Sequence, residues 1–247
     1  MTLLSVNLNA VAQLRNRRDL PWPSVVGMAR VVLDAGASGI TIHPRPDERH
    51  IRRTDVFDLA QLLAADYPAA EFNIEGYPSE DFFALIDQVN PAQVTLVPDD
   101  PQQATSDHGW DFAGKGNFLT DVVGRMKQPG RRISLFCDPD AGAAGVAAAK
   151  ATGADRIELY TGPYGGCYDD AERAVRELAA LADTAQAAHA AGMGVNAGHD
   201  LTLANLPAFQ AAVPHVDEAS IGHGITADAL LMGFAEAVRQ YRAVLGG

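Results

Sequence analysis

Lysine is close to absent from this chain: Lys115, Lys127 and Lys150 are the only three in 247 residues. None falls at the end of a predicted strand, which argues against a lysine Schiff-base aldolase. Cysteine is scarcer still. Cys137 and Cys167 stand alone with no CxxC pair, too few for a disulfide scaffold. No run approaches the ~20 apolar residues that span a bilayer. The opening MTLLSVNLNA lacks the basic region and apolar stretch of a signal peptide, so a cytoplasmic location is expected and no membrane partner. No GxGxxG follows the first strand pattern, which weakens a dinucleotide-binding reading. No HxH or HExxH pair occurs, so a hydrolytic metal site is only weakly signalled. Positive charge is also short. The net charge of -12 argues against nucleic acid as the main partner.

What is present is material for a large core, 47% hydrophobic residues with an ordinary 20% charged. The charge is uneven. Residues 1–53 hold eight of the 19 Lys and Arg but four of the 31 Asp and Glu, a local balance of +4 in an acidic protein. Such an island suits a small anionic substrate, or arginines paired with helix carboxylates.

Short β-branched runs alternate with longer Ala/Leu-rich stretches. Strands are predicted at 3–8, 39–43, 71–75, 93–97, 132–136, 156–160, 194–197 and 218–221. Helices are predicted at 25–35, 56–65, 81–89, 119–126, 143–152, 171–191, 203–212 and 227–245. The segments AGASGI, TGADRI and AGMGV each place a glycine just past a helix end, where a left-handed cap would turn the chain into a strand. Eight βα units in about 250 residues, with no linker, favour one α/β domain over residues 1–247, a single (β/α)8 TIM barrel.

In such a barrel catalytic groups sit at strand C-termini and in the loops that follow. Those positions hold Asn7 and Asn9, then His43 with Arg45 and His50, Glu75, Thr105, Asp138, Glu158, His199 with Asp200, and Gly222 with His223. Three histidines converging with a carboxylate in one mouth point to proton transfer. Glu75 reads as a base and, less favourably, as an ion-pair partner. The turns NAGHD and IGHG suit a phosphate held by backbone N–H groups, or are simply tight turns. Arg45, Arg49 and His50 suggest a second anion site. Asp138 and both cysteines read as structural, and Trp22 and Trp110 as loop packing. An alternative is a metal-dependent barrel hydrolase or lyase acting on a phosphorylated metabolite, with His43, Glu75, His199 and His223 as ligands.

The segments SVNLN, LRNRR, GITIHPRPDERHI, FNIEG, VTLVPDD, RIELYTG, VNAGHDLT and ASIGH, in this order, resemble the pyridoxine 5'-phosphate synthase family end to end. The resemblance implies a β/α barrel assembled into a homo-octamer. It implies a transferase of vitamin B6 biosynthesis that condenses 3-amino-2-oxopropyl phosphate with 1-deoxy-D-xylulose 5-phosphate into pyridoxine 5'-phosphate, phosphate and water. No metal or organic cofactor is implied. By the same resemblance His43 and Glu75 are proton acceptors, His199 is a proton donor, and Glu158 stabilises the transition state. Asn7, Arg18, Gly222 and His223 would contact the aminoketone phosphate; Arg45, His50 and Thr105 would contact the deoxyxylulose phosphate. Two positions depart from the pattern. Asn9-Ala10 stands where many members have Asp-His, so a side-chain contact from Ala10 is lost. Asp200 stands where many have Gly, which leaves a backbone N–H contact and puts a carboxylate near a phosphate.

Overall fold

The structure, a computed structural model, describes residues 1–99 and 105–247, so the second aspartate of VPDD, Asp100, lies outside the described residues. Eight parallel strands pair in sequence order and close, β8 hydrogen-bonding to β1. They are β1 (Leu3–Asn7), β2 (Gly39–Ile42), β3 (Glu71–Gly76), β4 (Gln93–Leu96), β5 (Arg132–Cys137), β6 (Arg156–Tyr160), β7 (Gly194–His199) and β8 (Glu218–Ile221). This is the expected (β/α)8 TIM barrel.

Successive residues along each strand alternate in chemistry as they alternate between the two faces of the sheet. Val6, Ile40, Ile42, Ile74, Val94, Leu96, Ile157 and Leu159 are fully buried in the apolar core beneath the surrounding helices. The alternate positions, which face the barrel axis, are polar: Ser5, Thr41, Asn73, Thr95, Ser134, Asn196 and Ser220 are buried too. Part of this set is satisfied across strands, whereas Ser134 Oγ, Ser220 Oγ and Asn196 Nδ2 are buried without a hydrogen-bond partner among the described residues. Ser5 Oγ lies 2.7 Å from Thr41 Oγ1, and Thr95 Oγ1 lies 3.2 Å from both Asn73 Oδ1 and Glu158 Oε2. Barrel interiors are more often filled by branched apolar side chains. Here a polar column runs beneath the mouth, and buried polar groups of this kind fix a single arrangement when hydrogen-bonded.

Among the described residues, four helices begin where a side chain accepts an orphan N–H, three of them on the first half of the barrel. Ser24 caps α2 (Val25–Asp34), Ser79 caps α4 (Glu80–Val89) and Asp111 caps α5 (Phe112–Met126). The glycines expected to turn helix into strand, Gly36, Gly153 and Gly192, all have positive φ. Other boundaries move. Helix α3 (Arg53–Asp66) begins three residues before the predicted 56, where Asp55 reaches back to accept the Arg52 N–H at 2.7 Å. Helix α1 (Asn9–Arg15) was not expected; it is short and has no side-chain cap. The predicted final helix is two, α10 (His223–Met232) and α11 (Phe234–Val244), parted at Gly233 with φ +85°. Helices α6 (Gly142–Ala151) and α8 (Ala171–Ala190) pack outside β5 to β7, and short α7 (Gly162–Gly165) and α9 (Leu206–Ala212) follow β6 and β7. Trp110 does pack its loop, donating its indole N–H to Leu96 O at 2.8 Å, but Trp22 is 63% exposed and packs little.

Candidate active site

A cavity of about 370 Å³ opens at the C-terminal ends of the strands, within the size range of small-molecule sites. It brings together Asn7, His43, Arg45, His50, Glu75, Thr105, Glu158, His199, Asp200, Gly222 and His223. Of the residues to which the family resemblance gives a role, Arg18 is the exception. Its exposed guanidinium donates to Arg17 O at 2.8 Å and does not line the cavity. The reason is helical phase. Helix α1 ends at Arg15, and the chain then turns outward, so it is Arg15 that points inward and is buried.

Arg15 and the neighbouring Asn16 hold the loop that carries the basic residues. Arg15 grips the Asp55 carboxylate with both terminal nitrogens, at 2.5 and 2.9 Å, and donates to His50 O at 3.1 Å. Asn16 donates to the same carbonyl at 2.8 Å. His50 is thereby fixed, and its Nδ1 accepts the Ile51 N–H at 2.9 Å. A backbone N–H can only donate, so neutral His50 carries its proton on Nε2. Burial, then the charge of Arg45, pushes His50 down to about 4. It therefore meets an anion as a neutral N–H donor. Arg45 is buried and ion-paired with Asp99, which also accepts from Ser106 Oγ at 2.8 Å. Arg49 pairs with Asp47 at 2.7 Å and does not line the cavity, so the second anion site narrows to Arg45 and His50.

Opposite lie the carboxyls. Glu75 and Glu158 are buried. Asn7 Nδ2 donates to Glu75 Oε2 at 3.3 Å. Burial, then the charge of Glu158, holds the Glu75 carboxyl well above its ordinary range. Burial lifts Glu158 from 4.5 to about 7. Two buried carboxyls in one site do not both ionise readily, so the pair can hold and pass a proton. His43 is pushed well below its usual value by burial and then by Arg45, so it stands neutral and able to accept a proton. Asn9 accepts the His43 N–H on Oδ1 at 2.9 Å while its own N–H donates to Asn7 Oδ1. Asn9 thus ties the end of β1 to the residue that follows β2, and it also lines the cavity.

The raised Glu158 pKa has a measurable consequence for stability. A carboxyl that is more basic folded than unfolded contributes stability present below pH 4.5 and lost by about pH 7. One such proton changes unfolding free energy by about 1.4 kcal/mol per pH unit in that window. Glu158→Gln is expected to flatten the fall, so that thermal melting shows the variant gaining on the parent protein between pH 5 and pH 8 and not below pH 4.5. Parallel pH curves for the two proteins would contradict the assignment.

His199 ends β7 with φ +102°, a conformation that costs a non-glycine residue about 1–3 kcal/mol. Its Nε2 lies 3.0 Å from Thr105 Oγ1, its Nδ1 lies 2.8 Å from Asp200 Oδ2, and the Tyr160 ring meets it edge-on at 5.2 Å. Gly198 before it allows the approach, since a Cβ there would lie 2.6 Å from Ser220 O and 3.0 Å from Glu158 Oε1. Among the described residues no three His, Cys, Asp or Glu side chains converge to hold a metal ion, so the ligand set of the metal-enzyme alternative is not assembled.

Sequence comparison places this arrangement. The profile of the family described as "Pyridoxal phosphate biosynthesis protein PdxJ" matches residues 4–247. The chain belongs to the PdxJ family. It is 65% identical over 243 residues to pyridoxine 5'-phosphate synthase of Allorhizobium ampelinum, covering 98% of this chain and 97% of that one. It is 60% identical to the synthase of Rhizobium meliloti, covering 98% and 97%. Among solved structures, phosphoribosyl anthranilate isomerase from Thermus thermophilus is 16% identical with a TM-score of 0.59, covering 99% and 98% of the two chains. Tryptophan synthase from M. tuberculosis is 10% identical with a TM-score of 0.62, covering 98% and 92%. At these identities the structural likeness concerns the barrel alone.

The cavity also holds residues that strand-end reading did not single out. Gln13 faces the cavity one turn along α1 from Ala10, and Ser106, Val97, Phe136 and Ser220 line it. The buried acid Asp99 was written in VPDD and the buried base Arg15 in LRNRR, and only their burial distinguishes them from neighbouring surface charges. Asp138, read as structural, accepts the Gly109 N–H at 2.7 Å, and Cys137 and Cys167 are buried thiols that do not line the cavity.

Proposed function

We propose that this chain is a pyridoxine 5'-phosphate synthase. It condenses 3-amino-2-oxopropyl phosphate with 1-deoxy-D-xylulose 5-phosphate by acid/base ring closure, releasing pyridoxine 5'-phosphate, phosphate and water. The observation that carries the reading is one cavity in which a neutral histidine, two proton-poised carboxyls and a second histidine lie between two groups of anion-binding donors. His43 and Glu75 accept protons, His199 donates to the leaving water or phosphate, and Glu158 balances developing positive charge. The substrate's own amine supplies the Schiff-base nitrogen, which agrees with the lack of lysine along the cavity. Arg45, His50 and Thr105 hold the deoxyxylulose phosphate. Asn7, the Asp200 N–H and the Gly222–His223 turn hold the aminoketone phosphate. No metal or organic cofactor takes part. The test is phosphate release: about one inorganic phosphate per turnover with both substrates together and none with either alone. Release from a single substrate would support a phosphatase instead.

The same reading takes residues 1–247 as one cytoplasmic barrel domain. No helix among the described residues is long and apolar enough to cross a membrane. It also takes the working form to be a homo-octamer, supported by Leu230 and Leu231 of α10, which are 76% and 87% exposed and would be covered by a second copy.

Arg45→Lys is expected to weaken the deoxyxylulose phosphate about 10-fold or more while changing the aminoketone KM little. A point charge cannot both face Asp99 and grip an anion as a planar fork does. Steady-state KM values for both substrates check this, and equal weakening of the two would reverse the assignment of the anion sites.

A further inference from the structure

We propose that Asp200 is a positioning residue for His199: its carboxylate takes the Nδ1–H, so that the proton His199 gives up in catalysis is the one on Nε2, which faces the cavity. The inference rests on the reading of His199 as a proton donor. Asp200 lines the cavity, and its carboxylate could have faced the bound phosphates, where it would repel them. Instead Oδ2 lies 2.8 Å from His199 Nδ1. The rest of the residue is anchored for that contact. Asn205 Nδ2 donates to Asp200 O at 3.0 Å. Gly165 of α7 leaves room for the side chain, since a Cβ on Gly165 would lie 2.4 Å from Asp200 Cβ. The His199 ring is held from its other side by Thr105 at Nε2 and by the Tyr160 ring. Histidine has two tautomers, and which nitrogen keeps the proton is set by what the other one meets. A carboxylate at Nδ1 selects one of them, in the way the aspartate of a serine-hydrolase triad orients its histidine.

The hydrogen bond to His199 holds Asp200 below the usual carboxylate range, so it remains ionised at neutral pH. Other charged and titratable groups face the pair. Glu158 of β6 acts on His199 from within the barrel, and Tyr160 lies edge-on beside the ring. His223 of α10 acts on Asp200, while Asp107 and Asp138 act on Tyr160. Of these, Asp200 alone contacts Nδ1 among the described residues.

Two readouts test the proposal. The first is nitrogen NMR of histidine-labelled, ligand-free protein, with His199 assigned by the signal lost in His199→Asn. Neutral His199 is expected to carry its proton on Nδ1, and the isosteric Asp200→Asn to shift the population toward Nε2–H. An unchanged tautomer in the variant overturns the proposal. The second is turnover. Asp200→Asn is expected to lower kcat by about 10- to 100-fold with both KM values nearly constant. A loss confined to the aminoketone KM would make Asp200 a phosphate-side residue and overturn the proposal. The NMR arm needs no substrate. If the reaction assigned to this chain were wrong, turnover would fail for the parent protein as well, while the tautomer result would stand.

Discussion

Glu75→Gln is expected to lower kcat by about 10²- to 10⁴-fold, the usual cost of removing a general base, while the far-ultraviolet circular dichroism and melting cooperativity stay those of the parent protein. The amide keeps the shape of the side chain and can still take the Asn7 N–H that now reaches Oε2 at 3.3 Å. It cannot accept a proton. The size of the effect follows from the environment: a carboxyl held well above its ordinary range by burial and by Glu158 is a stronger base than one in water. The amide also removes one of two carboxyls that compete for a proton, so Glu158 in the variant should ionise more easily. Its half-titration, followed by carbon NMR of labelled glutamate, is expected below the present value of about 7. A variant with near-parental kcat would remove Glu75 from the chemistry.

His199→Asn is expected to bind both substrates and to stall after the first condensation, with turnover down by about 10²- to 10⁴-fold. Rapid quench followed by mass spectrometry would then show a condensed intermediate that the parent protein does not accumulate. The expectation rests on where the ring lies. Nε2 faces the cavity beside Thr105, and Nδ1 is turned to Asp200, so a donor and its support are lost together. Asparagine, one of the residue types that tolerate left-handed backbone best, keeps the φ of +102° accessible. Failure to bind the aminoketone at all would make His199 a binding residue.

The barrel was legible because strand chemistry repeats. Runs such as GITI, QVTL and RISLF alternate β-branched or apolar residues with small polar ones, and each is followed by a helix-length stretch. The mouth was legible because a closed barrel leaves few places for polar strand-end residues, and His43, Glu75, Glu158 and His199 occupy them. Helix phase was not legible. Helix α1 is seven residues long with no capping side chain, so nothing in LRNRR indicates that Arg15 faces inward and Arg18 outward. The break at Gly233 was hidden because apolar residues, Leu230 to Met232 and Phe234, run up to it on both sides. Partners chosen across space were hidden as well: Asp55 for Arg15 lies 40 residues away, and Asp99 for Arg45 lies 54 away. Asp200 could be noticed as a departure in the sequence. The expectation that it turns away from the phosphate toward His199 is met by Oδ2 at 2.8 Å from Nδ1.

The most direct measurement of the central claim, acid/base ring closure by this chain's own residues, is product formation by chelator-dialysed protein. Both phosphorylated substrates would be added in metal-free buffer, with the product followed by its pyridine absorbance and identified by mass. Pyridoxine 5'-phosphate is predicted to form at the rate of the untreated enzyme, in step with inorganic phosphate. Loss of product after dialysis, restored by zinc or manganese, would contradict the account and favour a metal-dependent enzyme.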